Sequence, residues 1–105
     1  MARREYIRYL TEHEYINLCT MRKAIGKIHR RLNDNKNEIY KYQRKIAEKS
    51  SYECNLYNRD MIVMLGKERR MLKNTRQKIE RLADIIVKKA QRRMEDIKLI
   101  ENTSL

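Results

Sequence analysis

The residues best able to do chemistry in this chain are its cations. Arg3-Arg4, Arg22-Lys23, Arg30-Arg31, Arg69-Arg70, Lys88-Lys89 and Arg92-Arg93 are adjacent pairs, and the last two pairs recur one helical turn apart. Clustered Lys and Arg attract phosphate or acidic protein, although most such runs on helices are simply solvated faces. All seven tyrosines lie in the first 57 residues, with Tyr52 and Tyr57 flanking Cys54. Rings of this kind anchor protein contacts. Base stacking is the lesser expectation, since no sheet platform is suggested. His13 and His29 stand at no metal-ligand spacing from Cys19 or Cys54. The two cysteines are 35 residues apart. Along a helix that is roughly 50 Å, beyond the ~7 Å between Cα atoms that a disulfide tolerates. Neither a metal nor any other cofactor is expected.

A catalytic reading finds little support. There is no Gly-rich phosphate loop, no Ser/His/Asp set and no HExxH, and Glu12 and Glu14 flank His13 at a spacing that diverges on a helix. A two-helix rod makes no water-excluding pocket, so the expectation is a protein that is not an enzyme.

The elements that must carry these residues follow from composition. The chain has 105 residues, 38% of them charged, a formal net charge of +12, no Pro and two Gly. So little Gly and Pro leaves few turns and argues for long helices over sheet. The longest apolar stretch, Met61 to Leu65, falls far short of the roughly 20 residues that span a bilayer, so no transmembrane segment is expected. The first dozen residues alternate charge with apolar character, without the apolar core of a secretory signal, and Glu5, Glu12 and Glu14 argue against a presequence. Cytoplasmic residence is expected, and the unpaired cysteines suit it.

Apolar residues repeat in heptads. Ile7, Leu18, Met21, Ile25, Ile28, Leu32, Ile39, Tyr42 and Ile46 share one seam, with Asn35 at a skipped core position and Thr11 and Glu14 at two more. A second seam runs through Met61, Leu65, Leu72, Ile79, Leu82, Ile86 and Ile100, with Glu68, Thr75, Lys89, Arg93 and Asp96 filling polar positions. Periodicity continues through the turn-forming cluster Asn33–Asn37 and fades at residues 49–55. Folding the chain at residue 52 makes facing numbers sum to about 104: Ile25 meets Ile79, Leu32 meets Leu72, Ile39 meets Leu65 and Leu18 meets Ile86. The polar gaps match as well, Asn35 near Glu68 and Arg69, Glu14 near Lys89 and Ala90, Thr11 near Arg93. Such layers cost stability and set register.

The expected fold is therefore all-α: one domain over residues 1–105, a long antiparallel two-helix coiled-coil hairpin. Arm one covers about residues 3–49, the tip about 50–54 and arm two about 55–101. A three-helix arrangement with an extra break near 33–37 is the alternative. Met64, Met71, Ile85 and Leu99 form a second apolar line on arm two, read as an edge widening the core rather than a partner face. Ile62, Val87 and Met94 read as scattered apolar surface, and self-association is open to so thin a scaffold.

In the hairpin, Arg3, Arg4, Arg8, Lys88, Lys89, Arg92 and Arg93 gather at the end bearing both termini. Two heptad arms, a short tip, scarce Gly and Pro, and the stretch Asn17-Leu18-Cys19-Thr20 ahead of a basic amphipathic helix resemble the FliJ/YscO/InvI stalk family of flagellar and type III secretion export machines. The likeness is one of architecture and covers nearly the whole chain. It implies a non-enzymatic stalk coupling a hexameric export ATPase to an export gate, at the cytoplasmic, inner face of a membrane export machine. The basic end would face the ATPase, and Tyr52, Cys54 and Tyr57 at the tip would contact the gate. The alternatives are a basic helical protein bound to nucleic acid or the ribosome, and a structural subunit of a large assembly. Each of these predicts binding partners rather than a substrate.

Overall fold

The structure, a computed structural model, describes residues 2–48 and 51–103, with side chains from Glu5 onward within those ranges. It is all-helical: a 3₁₀ helix Ala2–Tyr9, a helix α1 over Glu12–Ala47 and a helix α2 over Tyr52–Thr103, with no strand among the described residues. The two long helices form the hairpin that the seams demand. None of the described helices is long and apolar enough to cross a membrane.

Arm one is not continuous from residue 3, and the cause is local. Thr11 N–H donates to Glu14 Oε1 at 2.9 Å, and Glu14 N–H donates to Thr11 Oγ1 at 3.1 Å. This reciprocal capping box satisfies two of the donors that every helix leaves open at its start. It sets the first turn of α1, closed by Tyr15 N–H on Thr11 O. The residues before it form a separate 3₁₀ segment that ends with Leu10 N–H on Ile7 O. Ser51 starts α2 in a similar way, its carbonyl accepting from Asn55 N–H and its hydroxyl from Cys54 N–H. Helix α2 thus begins at Tyr52, inside the expected tip, and Lys49 and Ser50 lie outside the described residues.

The break near 33–37 does not occur. Asn35 is 0% exposed and sits inside α1. Its side chain bonds across to α2 instead of competing for its own backbone, so the poor helix formers around it remain helical.

The chain divides into two compact units. One comprises residues up to Ala24 together with those from Lys78 onward. Its core is Tyr6, Leu18 and Ala90, packed by Ile7, Tyr9, Leu10, Ala83, Ile86 and Val87. Three elements meet here, which corrects the seam of arm two. Leu82 is 53% exposed, while Ala83 is half-buried and Ala90 fully buried. Residues 82 and 83 flank the Ile79–Ile86 line about equally on a helix. The 3₁₀ segment packs on the side of 83, 87 and 90, where small residues admit it, and Leu82 is left outside. Ile100 is also exposed.

The other unit is Ile25–Gln77, with Ile28, Leu32 and Leu65 buried between the two helices. Of the eight residues expected to define the seam, Leu18, Leu32 and Leu65 are buried and Ile25, Ile39, Leu72, Ile79 and Ile86 half-buried. The second apolar line does not widen the core: Met64, Met71, Ile85 and Leu99 are all exposed. Ile62, Val87 and Met94, expected on the surface, are half-buried instead. A Cβ placed on Gly26 or Gly66 would meet nothing within 4 Å, so neither glycine serves a close helix approach within the chain.

Candidate functional site

The basic end separates into a structural part and an outward part. Arg93 belongs to the first, which corrects its assignment to the cationic surface. It is half-buried, donates through Nη1 to Tyr9 O at 3.0 Å and forms a two-pronged pair with Glu14, whose second contact, Nη2 to Oε2, is 3.0 Å. One guanidinium therefore ties the end of the 3₁₀ segment, the cap of α1 and α2 together. The hydrogen bond from Arg93, with those from Thr11, pulls the Glu14 carboxyl down to about 2. The same pairing raises Arg93. Lys98 Nζ to Glu5 Oε2 at 3.0 Å and Arg22 Nη2 to the Tyr6 hydroxyl at 3.3 Å fasten the segment further. Glu14 was expected beside Lys89 and Ala90. It meets Arg93 one turn onward, because Arg93 lies on the seam and Lys89 faces solvent.

The outward part consists of Arg8, Lys88, Lys89 and Arg92, all exposed, while the side chains of Arg3 and Arg4 lie outside the described residues. Lys88 pairs with Asp84 one turn earlier at 2.8 Å, an exposed contact of small worth. Ile85, 51% exposed, joins Lys88, Lys89 and Arg92 in lining a shallow depression of about 200 Å³. Their spacing of three and four residues places them on one face of α2.

In Ile25–Gln77 the polar groups are arranged as a layer. Asn35 Nδ2 donates to Leu65 O at 2.8 Å and to Glu68 Oε1 at 3.0 Å. Both partners are acceptors, so the amide orientation follows from them. Arg31 bridges Glu68 at 2.7 Å and Glu38 at 3.1 Å, and Arg69 Nη1 donates to Leu32 O at 3.3 Å. The Asn35 bond, then Arg31, lowers the Glu68 carboxyl, while Glu68 and Glu38 raise Arg31. This is the Asn35–Glu68/Arg69 layer anticipated from the polar gaps.

The tip residues do not act as one group. Cys54 and Tyr57 line a depression of about 400 Å³ together with Lys45, Glu53 and Asn58; Tyr52, highly exposed, is not among its lining residues. The Tyr57 ring meets Tyr42 edge-on, with centroids 6.3 Å apart at 73°, and Lys45 Nζ lies 5.3 Å from the Tyr42 centroid. Asn58 is only 4% exposed. Asn58 stands one heptad before Leu65, and that phase could have singled it out as a polar seam residue. Lys45 and Glu53 carried no sequence signal, since only the chain reversal brings them together. The described residues contain no cluster of three or more His, Cys, Asp or Glu able to hold a metal, and Cys19 and Cys54 are free thiols. Comparison with family models, curated proteins and solved structures gives no match for this chain.

Proposed function

We propose that the protein is a non-enzymatic helical stalk or adaptor that docks onto protein partners. The supporting observation is the outward face of α2 in the first unit. There Ile85 stands exposed among Lys88, Lys89 and Arg92, with Leu82 and Leu99 also uncovered on the same helix. Apolar groups framed by cations suit an acidic, amphipathic protein surface, where desolvation supplies affinity and charge supplies approach rate and orientation. In the export-machine version of this function, Arg3, Arg4, Arg8, Lys88, Lys89 and Arg92 face a hexameric ATPase. The tip residues Tyr52, Cys54 and Tyr57 reach an export gate, and the hairpin works in the cytoplasm at the inner face of the membrane. The net charge of +12 favours a second reading, a nucleic-acid- or ribosome-associated protein.

The test is recovery of the tagged protein from its native host with and without nuclease, beside a Lys89→Glu/Arg92→Glu variant. A retained ATPase and gate protein, lost in the variant at unchanged helicity, supports the stalk. Partners lost with nuclease move the function to nucleic acid. Arg93 is left intact, because reversing it would disrupt the fold as well as the surface.

A further inference from the structure

We infer that one broad face of the unit Ile25–Gln77 binds the phosphate backbone of duplex nucleic acid, without regard to sequence. The inference rests on the second reading above and gives it a surface; the docking face of the stalk lies in the other unit. It starts from how charge is divided across the two helices. Arg31 pairs with Glu38 and Glu68, and Arg69 donates to Leu32 O. Counting heptads from the buried Leu32 and Leu65 puts the Arg31 network on one side of the seam and Arg69 on the other. By the same count Asp34, Glu38, Glu48, Glu53, Asp60 and Glu68, all the carboxylates of residues 25–77, fall on the Arg31 side. The Arg69 side carries none. It presents Lys36, Arg59 and Lys73, all exposed, beside the half-buried Arg69, with Arg30, Arg44 and Arg70 along its outer edge. Such a face attracts a polyanion wherever it lies along it.

Arg59, Gly66 and Lys73 form one line on α2 at heptad spacing, roughly 21 Å from end to end. Over that length a duplex lying alongside offers about six phosphates per strand, at ~3.4 Å each. Gly66 leaves a notch between the two cations, since a Cβ there would meet nothing within 4 Å. A backbone approaches a helix most closely where a side chain is missing. Asn33, exposed on the same side, is a neutral donor of the kind that phosphate oxygens accept from. Acidic protein suits this face less, because protein interfaces centre on apolar groups. Met64 and Met71, exposed on α2, lie on the Arg31 side, and Leu56 and Val63 on the outer edge. A membrane surface likewise takes an apolar helix face into its headgroups.

The experiment follows the anisotropy of a labelled DNA duplex of about twenty base pairs as the full chain is added over a range of salt. Poly-glutamate and phosphatidylserine vesicles are the competing probes. The test variant is Arg59→Glu/Lys73→Glu. Its control is Lys27→Glu/Lys67→Glu, which makes the same change of charge in the same unit at exposed positions on the Arg31 side. The test variant should lose affinity on the order of tenfold or more, and its salt dependence should flatten by about two in log–log slope. The control should lose far less, with helicity unchanged in both. Should the test variant fail to fold, Gly66→Leu decides in its place; by filling the notch it should weaken binding several-fold. The face is misassigned, although the nucleic-acid reading stands, if the control loses as much as the test variant, or if the deciding variant folds and binds as the original chain does. The proposal is also overturned if poly-glutamate or the vesicles displace the labelled duplex as well as unlabelled duplex does. Absence of any duplex binding removes the face and the nucleic-acid reading together.

Discussion

The two units solve one problem, how to use polar groups in a thin helical scaffold, in opposite ways. In the first unit the principal polar contact is an ion pair, Glu14–Arg93, which clamps a third element over an apolar cluster of Tyr6, Leu18 and Ala90. In Ile25–Gln77 no third element helps, and the most deeply buried polar group is an amide, Asn35, which bonds across the two-helix seam. The clamp adds apolar burial that two helices alone would lack. The amide adds little burial but penalises every misregister, since slipping α1 against α2 leaves Asn35 buried without Leu65 O and Glu68. Charge holds an added segment in place, and an uncharged polar group sets alignment.

The comparison breaks most readily at the clamp. Arg93→Ala should release the 3₁₀ segment, lowering hydrogen-exchange protection around residues 5–10 on the order of tenfold or more and opening Arg8 to trypsin, with residues 25–77 unaffected. Equal loss in both units would show that the clamp is not local. Acid should do the same thing gradually. The folded Glu14 carboxyl, at about 2, lies below its ordinary 4.5, so its contribution is complete above about 4.5 and declines as pH falls towards 2. Glu14→Gln should flatten that part of an acid titration followed by circular dichroism. Glu68 is lowered too, so some acid sensitivity remains in the second unit.

Next in size is Asn35. Asn35→Ala should cost about 1–3 kcal/mol in urea unfolding, because it removes two cross-helix bonds and leaves a void. Asn35→Leu should lose far less stability, or gain some, yet permit alternative registers, visible as a broadened distribution of distances between spin labels on the two helices. A single sharp distance in Asn35→Leu would mean that apolar packing alone sets the register. The smallest effect is at the glycines. Gly26→Ala and Gly66→Ala should each stabilise the second unit by about 1 kcal/mol, as a Cβ meets nothing there; a loss of stability in thermal melts would point to contacts beyond this chain.

Much of this was legible in the residues. Leu18, Leu32 and Leu65 stand out by periodicity alone, and the polar gaps pair Asn35 with Glu68 once the reversal point is chosen. The capping box was also written in the chain, as Thr11 and Glu14 three residues apart, but the heptad frame absorbed both as skipped core positions. That frame assumes two elements, which is why it placed Leu82 inside; it set Arg93 at a polar seam position facing Thr11, whereas the pairing with Glu14 needs the cap that the frame did not include. The tip was legible only in part: Tyr57 and Cys54 advertise themselves by type, whereas Asn58, Lys45 and Glu53 become neighbours through the reversal.

The sequence by itself determined two long helices, their approximate register and a strongly cationic surface. Periodicity, the scarcity of Gly and Pro, and net charge are properties of the chain before it folds. Tertiary structure decided which side of α2 is buried near residue 83 and which arginine is structural. Each of those depends on what a third surface occupies. A helical period carries that information only to within the neighbouring positions three and four residues away, where Leu82 and Ala83 are equivalent until something packs against one of them.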